Sequence, residues 1–233
     1  MKKCILLFVL IFFFLTEKNF SQEKSYRFGF SFSPNVCWIK PDTKNYNSEG
    51  GMMGFSWGFL SHINMSDNYS IETGFNITQA YGKLSSPYLI EDNNGNSVST
   101  GTLNRKYYLK YFEIPVILRM QANNESRYKF FGQIGIGTSF NIRAKADDDY
   151  QLISGSVIPS ETNVDIKDNI TLVRESIIIG GGCSIDLNST TTLILGLNFN
   201  NGFIDILKGH NSLNNDKEQA YLNYFELNIG VLF

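Results

Sequence analysis

The chain has 233 residues, 20 of them basic and 22 acidic, for a formal net charge of −2. That balance does not provide the basic face that nucleic-acid binding requires. Its three cysteines do not make a disulfide framework, although one bridge stays open. The 19 Phe, 12 Tyr and 20 Gly against 5 Pro suit β-structure with small residues on one side of the strands.

The start reads as an export signal. Met1-Lys2-Lys3 is basic, residues 4–15 are almost wholly apolar, and Thr16-Glu17-Lys18-Asn19 ends the run. Twelve or so apolar residues are too few for a spanning helix. Cys4 precedes the run, so it is no lipoprotein cysteine. Cleavage is expected near Ser21, which makes residues 1–21 a signal peptide and residues 22–233 one domain. The cut removes Lys2, Lys3, Lys18 and Glu17 and leaves the mature chain more acidic. No later run is long and apolar enough for a helix in lipid. A membrane protein of this sequence must therefore be a closed barrel, the other structure that satisfies its own backbone there.

Eight strands are predicted: residues 26–38, 52–63, 69–81, 105–120, 128–143, 170–187, 191–200 and 221–233. In the first, Phe28, Phe30 and Phe32 alternate with Gly29, Ser31 and Ser33, and Pro34 is expected to mark a bulge. In the second, Phe55, Trp57 and Phe59 alternate with Gly54, Ser56 and Gly58. The third sets Ile71, Thr73, Phe75 and Ile77 against Glu72, Gly74, Asn76 and Thr78. The fifth places Gln133, Ser139, Asn141 and Arg143 on the inner side. The eighth ends in Phe225, Leu227, Ile229, Val231 and Phe233 on one face, with Tyr224, Glu226, Asn228 and Gly230 on the other.

The fourth strand is the most informative. Phe112, Ile114, Val116 and Leu118 share one face; Glu113, Pro115, Ile117 and Arg119 share the other. Lys110 falls on the apolar side, at the headgroup level or displaced by a bulge. Long connections alternate with short ones: residues 40–50, 82–104, 144–169 and 201–220 against 64–68, 121–127 and 188–190. Together these predict an all-β fold, an eight-stranded antiparallel up-and-down transmembrane barrel with short periplasmic turns and long external loops. The rival is a soluble lipocalin-like barrel, which needs an apolar lumen and a polar exterior.

The chain resembles the PorT-type outer-membrane β-barrel family of Gram-negative bacteria. The resemblance rests on Glu72-Thr73-Gly74, Tyr111-Phe112-Glu113-Ile114-Pro115, Gly180-Gly181-Gly182 and Asn201-Gly202-Phe203-Ile204-Asp205-Ile206. Phe233 resembles the terminal aromatic read by the barrel-insertion machinery. The resemblance implies an outer-membrane location and partners among outer-membrane lipid, lipopolysaccharide, the insertion machinery and protein-secretion components.

The candidate site is a lumen network of Glu72, Glu113, Arg119, Arg143, Arg174, Asp186 and Glu226. Charges in a narrow lumen need partners. Glu113 and Arg119 are expected to pair across strands, with Arg143 and Glu72 as candidates. Two readings follow: an ion path, or a structural plug, which suits a barrel of eight strands filled by its own side chains. The two histidines are His62 and His210, the latter near Asp205 and Ser212, and no His-x-Ser motif accompanies them. Asp147-Asp148-Asp149 lacks the spacing and glycine of a calcium loop. No enzyme activity, cofactor or metal is expected.

Overall fold

The computed structural model describes residues 26–91, 97–122, 127–152, 159–211 and 217–233. The predicted signal peptide, its cleavage site and Ser212 lie outside the described residues. The strands are β1 (Tyr26–Pro41), β2 (Asn47–Asn64), β3 (Tyr69–Glu91), β4 (Ser97–Gln121), β5 (Tyr128–Leu152), β6 (Glu161–Asp165), β7 (Val173–Asp186), β8 (Thr192–Gly202) and β9 (Ala220–Leu232). They hydrogen-bond in the order β4-β3-β2-β1-β9-β8-β7-β5-β6, and β4 also pairs with β5. Eight strands thus close into an antiparallel ring, and short β6 is an appendage on the upper part of β5. The predicted sixth, seventh and eighth strands are β7, β8 and β9.

Closure leaves no bare edge in the ring, so every strand pairs on both sides. The last step joins β9 to β1, and the Phe233 N–H donates to the Phe28 carbonyl at 2.8 Å. Tyr26, Phe233 and the tight turns share one end. There the Asn188 carboxamide accepts from the N–H groups of Thr190 and Thr191 at 2.9 and 2.7 Å, which reverses the chain between β7 and β8.

Alternation sorts the faces. Phe30, Phe130 and Leu197 are 65%, 67% and 57% exposed, while Leu60, Ile178 and Ile194 on the inner face are at most 2% exposed. An apolar belt of this extent, on nearly every strand, is far beyond the exposed patch a soluble protein tolerates. Its surroundings are lipid. Aromatic rings run along the belt in contact, from Phe28 through Phe59 and Phe75 to Phe112.

Three expectations are corrected. First, Pro34 makes no bulge: β1 keeps one register with β2 from Tyr26 to Cys37, and Asn35, Cys37 and Ile39 stay buried on the inner face. Pro34 faces outward and its missing N–H is absorbed without a shift. Second, the long connections predicted at 82–104 and 144–169 are largely strand. β3 and β4 stay paired from Gly82↔Tyr107 to Ile90↔Ser99, and β4 and β5 up to Gly101↔Leu152. Beyond the apolar belt both outer and inner faces meet polar groups, so the alternation that marks a strand in sequence fades while the hydrogen-bond ladder continues. Third, β5 carries a bulge: Lys110 pairs with Arg143 but Tyr111 pairs with Asn141, so Ile142 is an extra residue. Ile142 and Arg143 are both exposed, whereas Asn141 and Ala144 are buried. Arg143 therefore points out, not into the lumen, because the bulge flips the phase above it.

Candidate functional site

The barrel interior is layered by height. At the turn end, Leu60, Phe131, Ile194 and Leu232 form a small apolar layer. At the opposite end, a larger apolar core includes Ile39, Leu84, Leu109 and Leu222, closed over by Ile166, Ile170, Ile206 and Leu207 from the connections. Between the two lies a polar middle. Alternation predicts the inward positions, but an apolar lining at both ends is a further feature. Its signal was present in sequence: Phe131 and Leu109 share the inner phase with Gln133 and Glu113.

The polar middle holds two charge clusters. In the lower one, Arg119 Nη2 donates to Glu72 Oε2 at 2.5 Å and Arg119 Nε to Gln133 Oε1 at 3.0 Å. Gln133 Nε2 donates to Asn198 Oδ1 at 2.7 Å, and Asn198 Nδ2 to Glu226 Oε1 at 3.1 Å. The guanidinium of Arg119 sits 4.1 Å from the centroid of Phe131, which covers it from the turn end. In the upper cluster, Glu113 Oε2 accepts from Ser139 at 2.9 Å and from the Tyr224 hydroxyl at 3.1 Å, with Arg174 Nη1 at 3.8 Å. Arg174 Nη2 donates to Asn200 Oδ1 at 2.5 Å and to the Leu222 carbonyl at 2.9 Å.

Of the seven predicted lumen residues, Glu72, Glu113, Arg119, Arg174 and Glu226 meet in these two clusters. Arg119 pairs with Glu72, one of the two candidate partners whose assignment the sequence left open. Glu113 pairs with Arg174, not with Arg143, which lies outside. Asp186 is at the rim, 3.0 Å from Lys129 and hydrogen-bonded to Thr192 at 2.6 Å.

Glycines on β7 make the lower cluster fit. A methyl group at Gly180 would overlap the Asn198 carboxamide, and one at Gly182 would meet the Phe131 ring and the Leu195 carbonyl. That gives Gly180-Gly181-Gly182 a physical meaning: the wall is thinned where large side chains from β5 and β8 cross the lumen.

The other candidate motifs lie apart from these clusters. Asp205 Oδ1 accepts from the N–H groups of Leu207 and Ala220 at 3.1 and 2.9 Å. It thereby folds Ile206 and Leu207 into the mouth, so Asn201–Ile206 acts as a stopper on the upper core. His210 is exposed, and Asp205 is committed to the loop. His62 faces the turn-end vestibule, a cavity of about 640 Å³, with Nε2 2.9 Å from Ser70 Oγ. Asp147, Asp148 and Asp149 lie on β5, not on a loop tip, and each has its own partner. Asp148 forms a two-pronged pair with Arg105 at 2.6 Å, Asp147 accepts from the Asn163 N–H at 2.8 Å, and Asp149 from Ser160 at 2.9 Å. They do not converge on a metal position. Cys37 and Cys183 are free thiols.

On the outer surface, β6 lays Asp165 beside Lys145 at 3.3 Å. The Lys167 backbone N–H, and then Lys145, hold the Asp165 carboxyl below the usual carboxylate range.

The profile of the outer membrane protein beta-barrel domain family matches residues 20–208. The chain belongs to this family. Its place is accordingly the outer membrane. Among solved structures, Neisserial surface protein A matches at 14% identity and a TM-score of 0.44, over 88% of this chain and 95% of that one. The outer membrane protein OprG from Pseudomonas aeruginosa matches at 12% and 0.43, over 89% and 94%. The attachment invasion locus protein Ail of Yersinia pestis, crystallised with the heparin analogue sucrose octasulfate, matches at 13% and 0.38, over 90% and 99%. No curated protein matches the chain at a significant level.

Proposed function

We propose that this outer-membrane barrel is a closed, non-conducting scaffold that acts through its exterior: the raised β3–β4–β5 wall and the loops beside it. The observation that carries the reading is the filling of the interior. Arg119 and Arg174, the largest side chains of the polar middle, are each 1% exposed. An apolar layer lies on either side of them. An ion crossing this interior would have to break buried ion pairs that cost several kcal/mol to open. The polar residues then serve to hold the barrel in one shape, and no catalytic step is assigned to them.

The resemblance of Tyr111-Phe112-Glu113-Ile114-Pro115 to PorT-type barrels extends the proposal to that subfamily. Within it, the raised wall is the surface available to lipopolysaccharide or to components of a secretion assembly. The test is conductance. Purified, folded protein added to planar bilayers is expected to give no steady single-channel steps. Reproducible large steps that scale with salt would overturn the closed-barrel reading.

A further inference from the structure

We propose, resting on the reading above that the raised wall faces the exterior, that the outward face of β3, β4 and β5, immediately above the apolar belt, binds the phosphate of an outer-leaflet lipid. The register sets Gln79 opposite Lys110, and Lys110 opposite Arg143. One row further out it sets Tyr81 opposite Tyr108, and Tyr108 opposite Lys145. Like charges directly opposite each other on one face of a sheet repel. Yet Lys110 and Arg143 are brought together by the one irregularity in the β4–β5 ladder. Without Ile142 as an extra residue, Arg143 would face the lumen. A bulge that re-aims a cation at another cation is accounted for when an anion sits between them.

That anion is not supplied by the described residues. Neither Lys110 nor Arg143 has an ion-pair partner among them. The acids close by are committed elsewhere: Asp165 to Lys145 and the Lys167 N–H, Asp147 to the Asn163 N–H. Gln79, Tyr81, Tyr108, Lys110, Arg143 and Lys145 line a crevice of about 340 Å³ together with Asp147, whose carboxylate also accepts from the Tyr108 hydroxyl; three cations therefore face one acid there.

The height of the crevice selects the carrier. Directly below it lies the row Ile77–Phe112–Phe140, and β4 continues downward with Ile114, Val116 and Leu118 facing out. The Tyr81 and Tyr108 rings meet edge-on at 5.3 Å, the kind of aromatic pair that marks a membrane–water interface. A lipid with its chains on the Phe112 row places its phosphate between Lys110 and Arg143. A free phosphate would gain the charges but not the apolar row. The partner chemistry is therefore a phosphorylated lipid headgroup, of which lipopolysaccharide's glycolipid anchor is one.

The test uses the full mature protein, folded in detergent and titrated by native mass spectrometry. The probes are lipid A, the same glycolipid stripped of phosphate, and inorganic phosphate. Wild-type protein is expected to bind lipid A about tenfold more tightly than the Lys110→Gln/Arg143→Gln variant does. Lys208→Gln, on an exposed loop, should bind as wild type. The phosphate-free lipid should bind wild type no better than lipid A binds the double variant, and millimolar inorganic phosphate should not displace lipid A. Equal binding by wild type and a correctly folded double variant would overturn the proposal. So would equal binding of the two lipids to wild type, a readout that needs no variant. Displacement by inorganic phosphate would overturn the lipid assignment.

Discussion

The Arg119 guanidinium illustrates how a charge is kept inside a barrel. Glu72 from β3 neutralises it, Gln133 from β5 takes its second N–H, and the Phe131 ring lies over its face. Partners from the two neighbouring strands thus converge on one β4 side chain, and each partner fixes the position of its strand. Removing one partner exposes the others to an unpaired buried charge, which costs about 3–5 kcal/mol. Replacing both partners by apolar groups avoids that cost. We expect Glu72→Ala to lower the urea midpoint of unfolding, read as loss of heat-modifiable migration on gels. Glu72→Leu/Arg119→Met should recover most of it. An unchanged midpoint for Glu72→Ala, or a double variant no better than the single, would show that the pair does not hold the wall together. That both residues face the lumen was legible in sequence, since both sit on the polar phase of their strands, although which acid meets which base was not. Nor was the partner of Glu113, because Arg143 and Arg174 look alike until the bulge at Ile142 is known.

The strands show the same division between what a sequence displays and what it hides. Where a strand crosses lipid, one face must be apolar and the other filled, and period-two alternation makes its bounds readable. β1, β2, β7, β8 and β9 therefore begin and end within a few residues of expectation. Above the belt, β3, β4 and β5 continue through water, where neither face has to be apolar. Their extensions read as loop by composition although the ladder is unbroken. β9 has the cleanest pattern. Ile229 faces out at 37% exposure between Leu195 of β8 and Phe32 of β1, while Asn228 faces in. An arginine at position 229 places a charge against acyl chains, at about 2–4 kcal/mol near the midplane. Ile229→Arg should cut outer-membrane abundance, as should deletion of Phe233, which closes the last hydrogen bond to β1. Asn228→Ser removes a carboxamide whose oxygen has no hydrogen-bond partner among the described residues and should assemble normally. Immunoblots of outer-membrane fractions decide it. Normal assembly of Ile229→Arg with failure of Asn228→Ser would reverse the two faces.

At the scale of the molecule, the same chain builds two cores that never mix. One is internal: two apolar layers with a polar clamp between them. The other is an external belt that gains nothing until lipid covers it. The internal core explains why the barrel needs no ligand to stay closed. The external belt leaves large apolar side chains such as Phe30 and Phe130 uncovered by protein. Its only two tryptophans, Trp38 and Trp57, both report on the belt. Trp57 is 47% exposed opposite Phe32 and Ile77, and Trp38 packs on the outward rings of Phe199 and Phe225. The most direct measurement is tryptophan fluorescence of the folded protein in vesicles whose acyl chains carry bromine, set against quenching by aqueous iodide. The lipid-facing assignment predicts strong quenching by brominated chains and little by iodide. Efficient iodide quenching with no effect of the brominated lipid would place both tryptophans outside the bilayer and contradict the account.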